Sequence, residues 1–133
     1  MVLAMEKYTC GLSIHFNQLE NLEERMDCFK DYRDFVGSRP EKFFKSTLFE
    51  SGRLMLGLNC LEPGQEQAVH AHDGQDKFYF VLEGEGVFTV GEVVQTAGEG
   101  MTVWAPEGVD HGVRNVGDVR LVVLVGMAPA PGH

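Results

Sequence analysis

The sequence predicts an all-β domain, a sandwich or small barrel, with a helical arm on its N-terminal side. The 133 residues are 44% hydrophobic, which is enough for one core and leaves little room for a second. From about residue 42, short runs of Val, Phe, Tyr, Leu and Thr alternate with turn clusters. Of the 16 glycines, 13 lie between Gly52 and Gly126. Many short strands separated by turn signals are typical of sandwiches and barrels.

Nine runs have the composition of strands and are bounded by clusters of Gly, Pro, Asn, Asp and Ser. We predict strands over 42–50, 53–61, 67–72, 77–82, 86–90, 92–96, 101–104, 109–114 and 119–126.

Before residue 40 the apolar residues recur at helical spacing. Asn17 is a candidate N-cap, and Gly37 and Pro40 end the periodic pattern. The apolar positions that define the predicted helix are Leu19, Leu22, Met26, Phe29 and Val36. We therefore divide the chain into a helical arm over 1–41, a β-barrel over 42–127 and a flexible tail over 128–133.

Composition excludes several classes of function. Eleven basic residues against 20 acidic ones give a formal net charge of −9, without the clustered Lys and Arg that a nucleic-acid-binding surface needs. No apolar stretch is long enough for a transmembrane helix, so no membrane partner is expected. The cysteines, Cys10, Cys28 and Cys60, form no C-x-x-C pattern. Their number and spacing favour reduced thiols in a cytoplasmic protein.

The candidate metal-binding residues are three histidines in the β region. His70 and His72 are two residues apart on a predicted strand, so their side chains point to the same face. His111 follows a tight turn at the start of another predicted strand. Three neutral imidazoles suit a divalent transition metal, namely Fe, Ni, Mn, Zn or Cu.

Glycines frame these histidines at defined spacings in two stretches. The first stretch is Gly64-(x)5-His70-x-His72-(x)4-Lys77-(x)6-Gly84. It resembles the first motif of the cupin family.

The second stretch is Gly100-(x)5-Pro106-x-Gly108-(x)2-His111-(x)3-Asn115, which resembles the second cupin motif at every position. With the short gap between the motifs and the length of the chain, the sequence is similar to the small single-domain bacterial cupins of the cupin 2, or RmlC-like, type. The motif glycines are expected at tight turns with positive φ, and Asn115 is expected to hold a turn.

The resemblance implies a cupin jelly-roll barrel, also called a double-stranded β-helix, with a metal ion inside. In this sequence the matching ligands are His70, His72 and His111. The resemblance also implies a homodimer, which small cupins commonly form. It does not assign a catalytic residue.

Lys77 departs from the family pattern, because most cupins carry a ligating Glu at this position and an ammonium cannot bind a metal. Three interpretations stay open. In the first, the three histidines bind the metal, and the fourth ligand is water, Gln75 or Asp76. In the second, Lys77 projects into the pocket toward an anionic substrate. In the third, the barrel has lost tight metal binding and recognises an organic ligand. If Lys77 points inward, Tyr79 on the same strand face also lines the pocket.

The resemblance implies a metal-dependent enzyme acting on a small molecule, and a Lys77 that projects into the pocket favours an anionic one. Oxygenase, isomerase, decarboxylase and sugar-processing activities are all represented among cupins, so the fold alone does not choose between them. The alternative is a non-catalytic module that binds a small acid or a sugar. Metal analysis of untagged protein would discriminate between the two.

Overall fold

A computed structural model describes residues 27–132, and nine β-strands account for most of them. The strands are β1 (Phe44–Glu50), β2 (Met55–Leu61), β3 (Glu66–His70), β4 (Asp76–Glu83), β5 (Glu85–Val90), β6 (Val93–Gly98), β7 (Thr102–Ala105), β8 (His111–Arg114) and β9 (Leu121–Ala128).

All nine predicted strands are present, and no boundary differs from the sequence-based one by more than two residues. They form a five-stranded sheet in the order β1-β2-β9-β4-β7 and a four-stranded sheet in the order β3-β8-β5-β6. Each strand pairs antiparallel with its neighbours. The predicted all-β jelly roll is therefore confirmed.

Alternation along β4 shows how the sheets enclose the interior. Lys77, Tyr79 and Val81 are buried, whereas Phe78 and Phe80 between them are half-buried on the outer face. Period-2 alternation puts the first set inside the barrel. The inner face is otherwise filled by aliphatic residues of several strands, including Leu61, Val113, Leu121 and Val123.

A second apolar cluster covers the outer face of the five-stranded sheet. Tyr32, Phe35 and Val36 pack there against buried residues that include Leu58 and Val122. The Ser46 hydroxyl donates a hydrogen bond of 2.7 Å to the Phe35 carbonyl and ties this segment to β1.

The predicted helix does not continue into this segment. Over 27–36 the chain contains a single 3-10 turn at Tyr32–Asp34 and no α-helix. Val36, one of the residues that suggested a helix face, instead packs against the outer face of the sheet, so tertiary packing outweighs the local periodicity there. The earlier part of the predicted arm lies outside the described residues.

The chain divides into two compact units, 1–31 and 32–133. Residues 32–41, which the sequence assigned to the arm, thus belong to the same unit as the strands.

The sequence also predicts a flexible tail from residue 128, but Ala130 is fully buried and the Pro129 carbonyl accepts a hydrogen bond from Gln75 Nε2. Burial of a small apolar side chain anchors the tail at that point.

No helix among residues 27–132 combines the length and apolar character needed to cross a membrane.

The cysteines differ from the expectation of reduced thiols throughout. Cys60 is a free thiol, and burial raises its pKa. Cys28 is disulfide-bonded, so the expectation is wrong there. Spacing along a sequence does not reveal which thiols meet in space.

Candidate metal centre

Two neighbouring strands bring the three histidines together. His70 ends β3 and His111 begins β8, and the two are directly opposite each other in the β3–β8 ladder. His72 follows two residues after the end of β3. The ladder shifts register between Gln67 and His70, and a bulge of this kind re-aims side chains.

The rings converge on one point. Their candidate ligand atoms all lie within 4.8 Å of one another. His70 Nε2 and His72 Nε2 are 3.0 Å apart, and the ring centroid of His111 lies 4.6 Å from that of His70. Nitrogens bound to one ion at about 2.0–2.1 Å lie roughly 3 Å apart, so the spacing of the first two rings suits a shared ion.

Backbone carbonyls set the tautomers of two rings. His70 Nδ1 donates to the Ala68 carbonyl at 2.7 Å, and His111 Nδ1 donates to the Val109 carbonyl at 2.9 Å. A carbonyl can only accept, so each Nδ1 carries the proton and each Nε2 keeps its lone pair. This is the usual second interaction of a metal-binding imidazole.

His111 Nε2 is the observation that best fits a metal ion. The side chain is 1% exposed, and among residues 27–132 this nitrogen is the one buried side-chain N or O atom without a hydrogen-bond partner. A buried unpaired acceptor is costly, and the lone pair points toward the cluster of imidazoles.

The rings of His72 and His111 are held neutral, as metal ligands must be. Burial lowers the pKa of His72 to about 4, with further lowering by His70 and by Lys77. Burial also lowers the pKa of His111. No proton therefore has to be displaced from these two rings at neutral pH before a metal binds.

Lys77 and Tyr79 both lie inside the barrel. Lys77 is 3% exposed, and its ammonium lies 4.8 Å from the centroid of the Tyr79 ring in a cation–π contact. Burial, reinforced by the charge of Lys45, lowers the pKa of Lys77 to about 8. Burial raises the pKa of Tyr79, whose hydroxyl donates to Gln67 Oε1 at 2.6 Å.

The candidate fourth ligands are engaged outside the cluster. Gln75 Nε2 donates to the Pro129 carbonyl at 3.2 Å. Asp76 is exposed on the face of β4 opposite to Lys77, and its carboxylate accepts from the Glu107 backbone N–H at 3.0 Å. The structure groups neither with the histidines, and a role for either as ligand stays a prediction.

Beside Lys77 lies a cavity of about 110 Å³ that the sequence did not reveal. Asn59 of β2 and Gln67 of β3 line it and are both buried. A signal existed for Asn59, because it is the one amide in the apolar run of β2. Gln67 carries no such signal, since β3 is mostly polar.

The motif glycines and Asn115 have the structural roles expected of them. Gly84, Gly100 and Gly108 all have positive φ. Asn115 Nδ2 donates to the carbonyls of Leu61 and Val119, at 2.8 and 2.9 Å. These residues hold the turns and need no direct part in chemistry.

Comparisons with known proteins agree with this architecture. The family model described as "Cupin domain" matches residues 57–127. The crystal structure of TT1209 from Thermus thermophilus is 44% identical, with a TM-score of 0.75, over 77% of this chain and 98% of that one. An RmlC-like cupin protein from Desulfovibrio desulfuricans is 35% identical, with a TM-score of 0.63, over 71% of this chain and 89% of that one.

A curated relative has a name that mentions a ligand. The "Oxalate-binding protein" of Thermotoga maritima is 29% identical over 80 residues, which are 60% of this chain and 65% of that protein.

Proposed function

The chain belongs to the cupin family, and we propose that it is a metal-dependent enzyme acting on a small molecule. In this proposal His70, His72 and His111 hold one divalent transition ion, which is Fe, Ni, Mn, Zn or Cu. The observation that carries the proposal is the buried, unpartnered Nε2 of His111 within the cluster of three imidazoles.

Three protein ligands suit catalysis better than a structural role, because they leave coordination positions for water or substrate. When bound, the ion would supply a Lewis acid at the three histidines. The carbonyls of Ala68 and Val109 orient the rings of His70 and His111. Oxygenase, isomerase and decarboxylase chemistry are the reaction types that we propose.

We propose a small anion as ligand. Lys77 places a cation inside the barrel, and no residue among 27–132 forms an ion pair with it. The name of the relative from Thermotoga maritima, which refers to oxalate, supports the same class of ligand.

The second candidate function is a non-catalytic module that binds such an anion. The name of that relative favours it, since it mentions binding and no reaction. Both functions use the same residues and differ only in whether the ligand is converted.

We also propose that the protein is a homodimer. Strands β6 and β7 are the edges of their sheets, and Val93, Val94 and Trp104 on them are exposed large apolar residues. Such edges invite pairing with another copy. Sedimentation should give twice the mass of the chain, and Trp104→Glu should shift the protein toward the monomer; a monomeric wild type would overturn this.

Elemental analysis of protein purified without an affinity tag tests the metal. We expect close to one transition-metal ion per chain in the wild type, and less than a tenth of that in His111→Ala. His133→Ala is the matched control, because His133 lies outside both motifs. Wild-type protein that takes up no ion, even after reconstitution, would overturn the proposal.

Turnover separates the two candidate functions. Metal-loaded protein is incubated with oxalate, malonate and succinate, aerobically and anaerobically, and followed by NMR. Conversion that His111→Ala abolishes supports the enzyme. Saturable binding without conversion of any probe supports the binding module.

A further inference from the structure

The cavity beside Lys77 lies on the inner face of the five-stranded sheet. Cross-strand pairing puts Lys45 opposite Asn59 and Lys77 opposite Met127, so these inward-facing side chains line a common space. Gln67 of the other sheet completes the lining. No Asp or Glu lines the cavity.

Two of these residues are buried, and their polar ends open onto the cavity. Lys77 is 3% exposed and Asn59 is 4% exposed, yet neither side chain forms a hydrogen bond or ion pair with any residue in 27–132. Both border the cavity, so their donors point to space that a ligand can enter. Neither polar end counts as a buried unpaired group, since His111 Nε2 is the one such atom among residues 27–132, so both reach open space, and a ligand in the cavity can hydrogen-bond to them.

Gln67 supplies a third donor. Its Oε1 accepts the hydrogen bond from the Tyr79 hydroxyl, which orients the amide. Its Nε2 has no partner within the described part of the chain and is left to donate to a ligand oxygen. An ammonium and two carboxamide groups thus border one cavity, a set that matches the acceptor oxygens of a carboxylate.

The charge of the cavity has the opposite sign to that of the protein. The chain carries −9 overall, whereas the cavity holds Lys45 and Lys77. These two cations repel each other, and a bound anion between them relieves the repulsion.

The volume limits the size of the occupant. Typical pockets for drug-sized ligands measure roughly 300–1,000 Å³, so about 110 Å³ admits a group of a few heavy atoms. The cavity is also close to the metal centre. The Tyr79 ring contacts the Lys77 ammonium at 4.8 Å on one side and lies 6.2 Å from the His111 ring on the other. The Lys77 ammonium and the His111 ring are therefore both neighbours of Tyr79, although no histidine lines the cavity itself.

We propose that Lys77, Asn59 and Gln67, with Lys45 at the entrance, bind one carboxylate of a small dicarboxylate. Its second carboxylate coordinates the metal held by the three histidines. The proposal rests on the proposed metal centre and adds to it the class of substrate. Two anchoring points, one cationic and one metallic, select a linear diacid over a monoacid of similar size.

Calorimetry on zinc-loaded protein tests this, with oxalate, malonate, succinate, acetate and inorganic phosphate as probes. We expect the best dicarboxylate to bind at least tenfold more tightly than acetate. Lys77→Met should abolish that advantage while zinc still binds with a stoichiometry of one. The matched control is Lys42→Met, which removes the same charge from a residue outside the cavity and should leave both affinities unchanged. Phosphate binding as tight as that of the best dicarboxylate would overturn the assignment to diacids.

A second variant, Asn59→Leu, tests the same subsite in case Lys77→Met does not fold. Asn59→Leu keeps the size of the side chain and removes only its amide, and it should weaken dicarboxylate binding at least threefold. Equal dicarboxylate affinity of the wild type, Lys77→Met and Asn59→Leu, with zinc bound in all three, would overturn the subsite and leave the metal centre standing.

The proposed metal centre can be disproved separately from the carboxylate subsite. If wild-type protein binds no zinc, the same titrations are made on that protein without metal. Weak carboxylate binding that Lys77→Met removes would then support the subsite while the proposed function falls. Carboxylate binding that is equal in the wild type and Lys77→Met would overturn both.

Discussion

Lys77 is the residue that gives this barrel its particular chemistry. A carboxylate at its position would be a metal ligand in the cupin pattern, whereas the lysine buries a cation beside the imidazoles. Burial and the charge of Lys45 lower its pKa to about 8, so at neutral pH it remains mostly protonated at a cost to folding.

Lys77→Met should therefore stabilise the ligand-free protein. A pKa of about 8 in the folded state, against 10.5 for an ordinary lysine, corresponds to about 3 kcal/mol at pH 7. Because the folded-state pKa is the lower one, the wild type gains stability as the pH rises from 8 to 10.5, and the advantage of the variant shrinks over that range. Urea unfolding at pH 7 and pH 10 measures both effects.

The control for this stability measurement is again Lys42→Met, which should change the free energy of unfolding by no more than about 0.5 kcal/mol. Loss of stability in Lys77→Met at pH 7 would mean that the ammonium has a stabilising partner in the folded protein.

Lys77→Glu should tighten metal binding. A carboxylate at this position supplies the fourth protein ligand of the cupin pattern, and a factor of ten in affinity corresponds to about 1.4 kcal/mol. Competition with a zinc-sensitive dye measures the affinity, which should rise at least tenfold. Unaltered affinity would mean that the alignment of Lys77 with the usual glutamate is wrong.

At the scale of elements, the turn between β4 and β5 sets the register that aims Lys77 inward. Gly84 has a φ of +77°, and a Cβ placed there would lie 2.5 Å from the Arg120 carbonyl oxygen. Gly74 has the same φ, but nothing lies within 4 Å of its Cβ position. Alanine substitutions at Gly74 and Gly84 therefore separate the energetic cost of the backbone conformation from the cost of steric overlap.

Gly74→Ala should lower the free energy of unfolding by about 1–2 kcal/mol, the cost of a left-handed conformation. Gly84→Ala should cost about 1–3 kcal/mol more, because the backbone of Arg120 must also move. Chemical denaturation of both variants tests this. Equal losses would show that the close approach to Arg120 does not constrain the turn.

At the scale of the whole molecule, metal binding should contribute to the stability of the fold. The proposed ion joins β3, the segment after it and β8. A ligand that binds only the folded state adds about 2.7 kcal/mol at a hundredfold excess over its Kd. For a domain of this size that is a rise in Tm on the order of 10 °C.

A chelator should therefore lower the Tm of the metal-loaded wild type and have little effect on His70→Ala. Differential scanning calorimetry with and without EDTA gives both numbers. Equal shifts in the two proteins would show that the chelator acts somewhere other than on the histidines.

Much of the architecture could be predicted from the sequence, because the forces involved are local. Period-2 alternation within β4 already put Lys77 and Tyr79 on one common face of the strand, which the structure shows to be the inner one. Positive φ at Gly84 and Gly108 follows from the turn each one makes. The spacing of His70 and His72 needed only a strand to put both on one face.

The tertiary structure decided what depends on contacts between distant segments. Apolar periodicity predicted an α-helix that would include Val36, but packing of Val36 on the outer sheet prevails there. Asn59 and Gln67 lie on different sheets, and only barrel closure makes them share a cavity with Lys77. The alternation of residues along a strand predicts which of them share a face of that strand. Which residues of other strands they contact depends on how the two sheets pack together, and only long-range packing determines that arrangement.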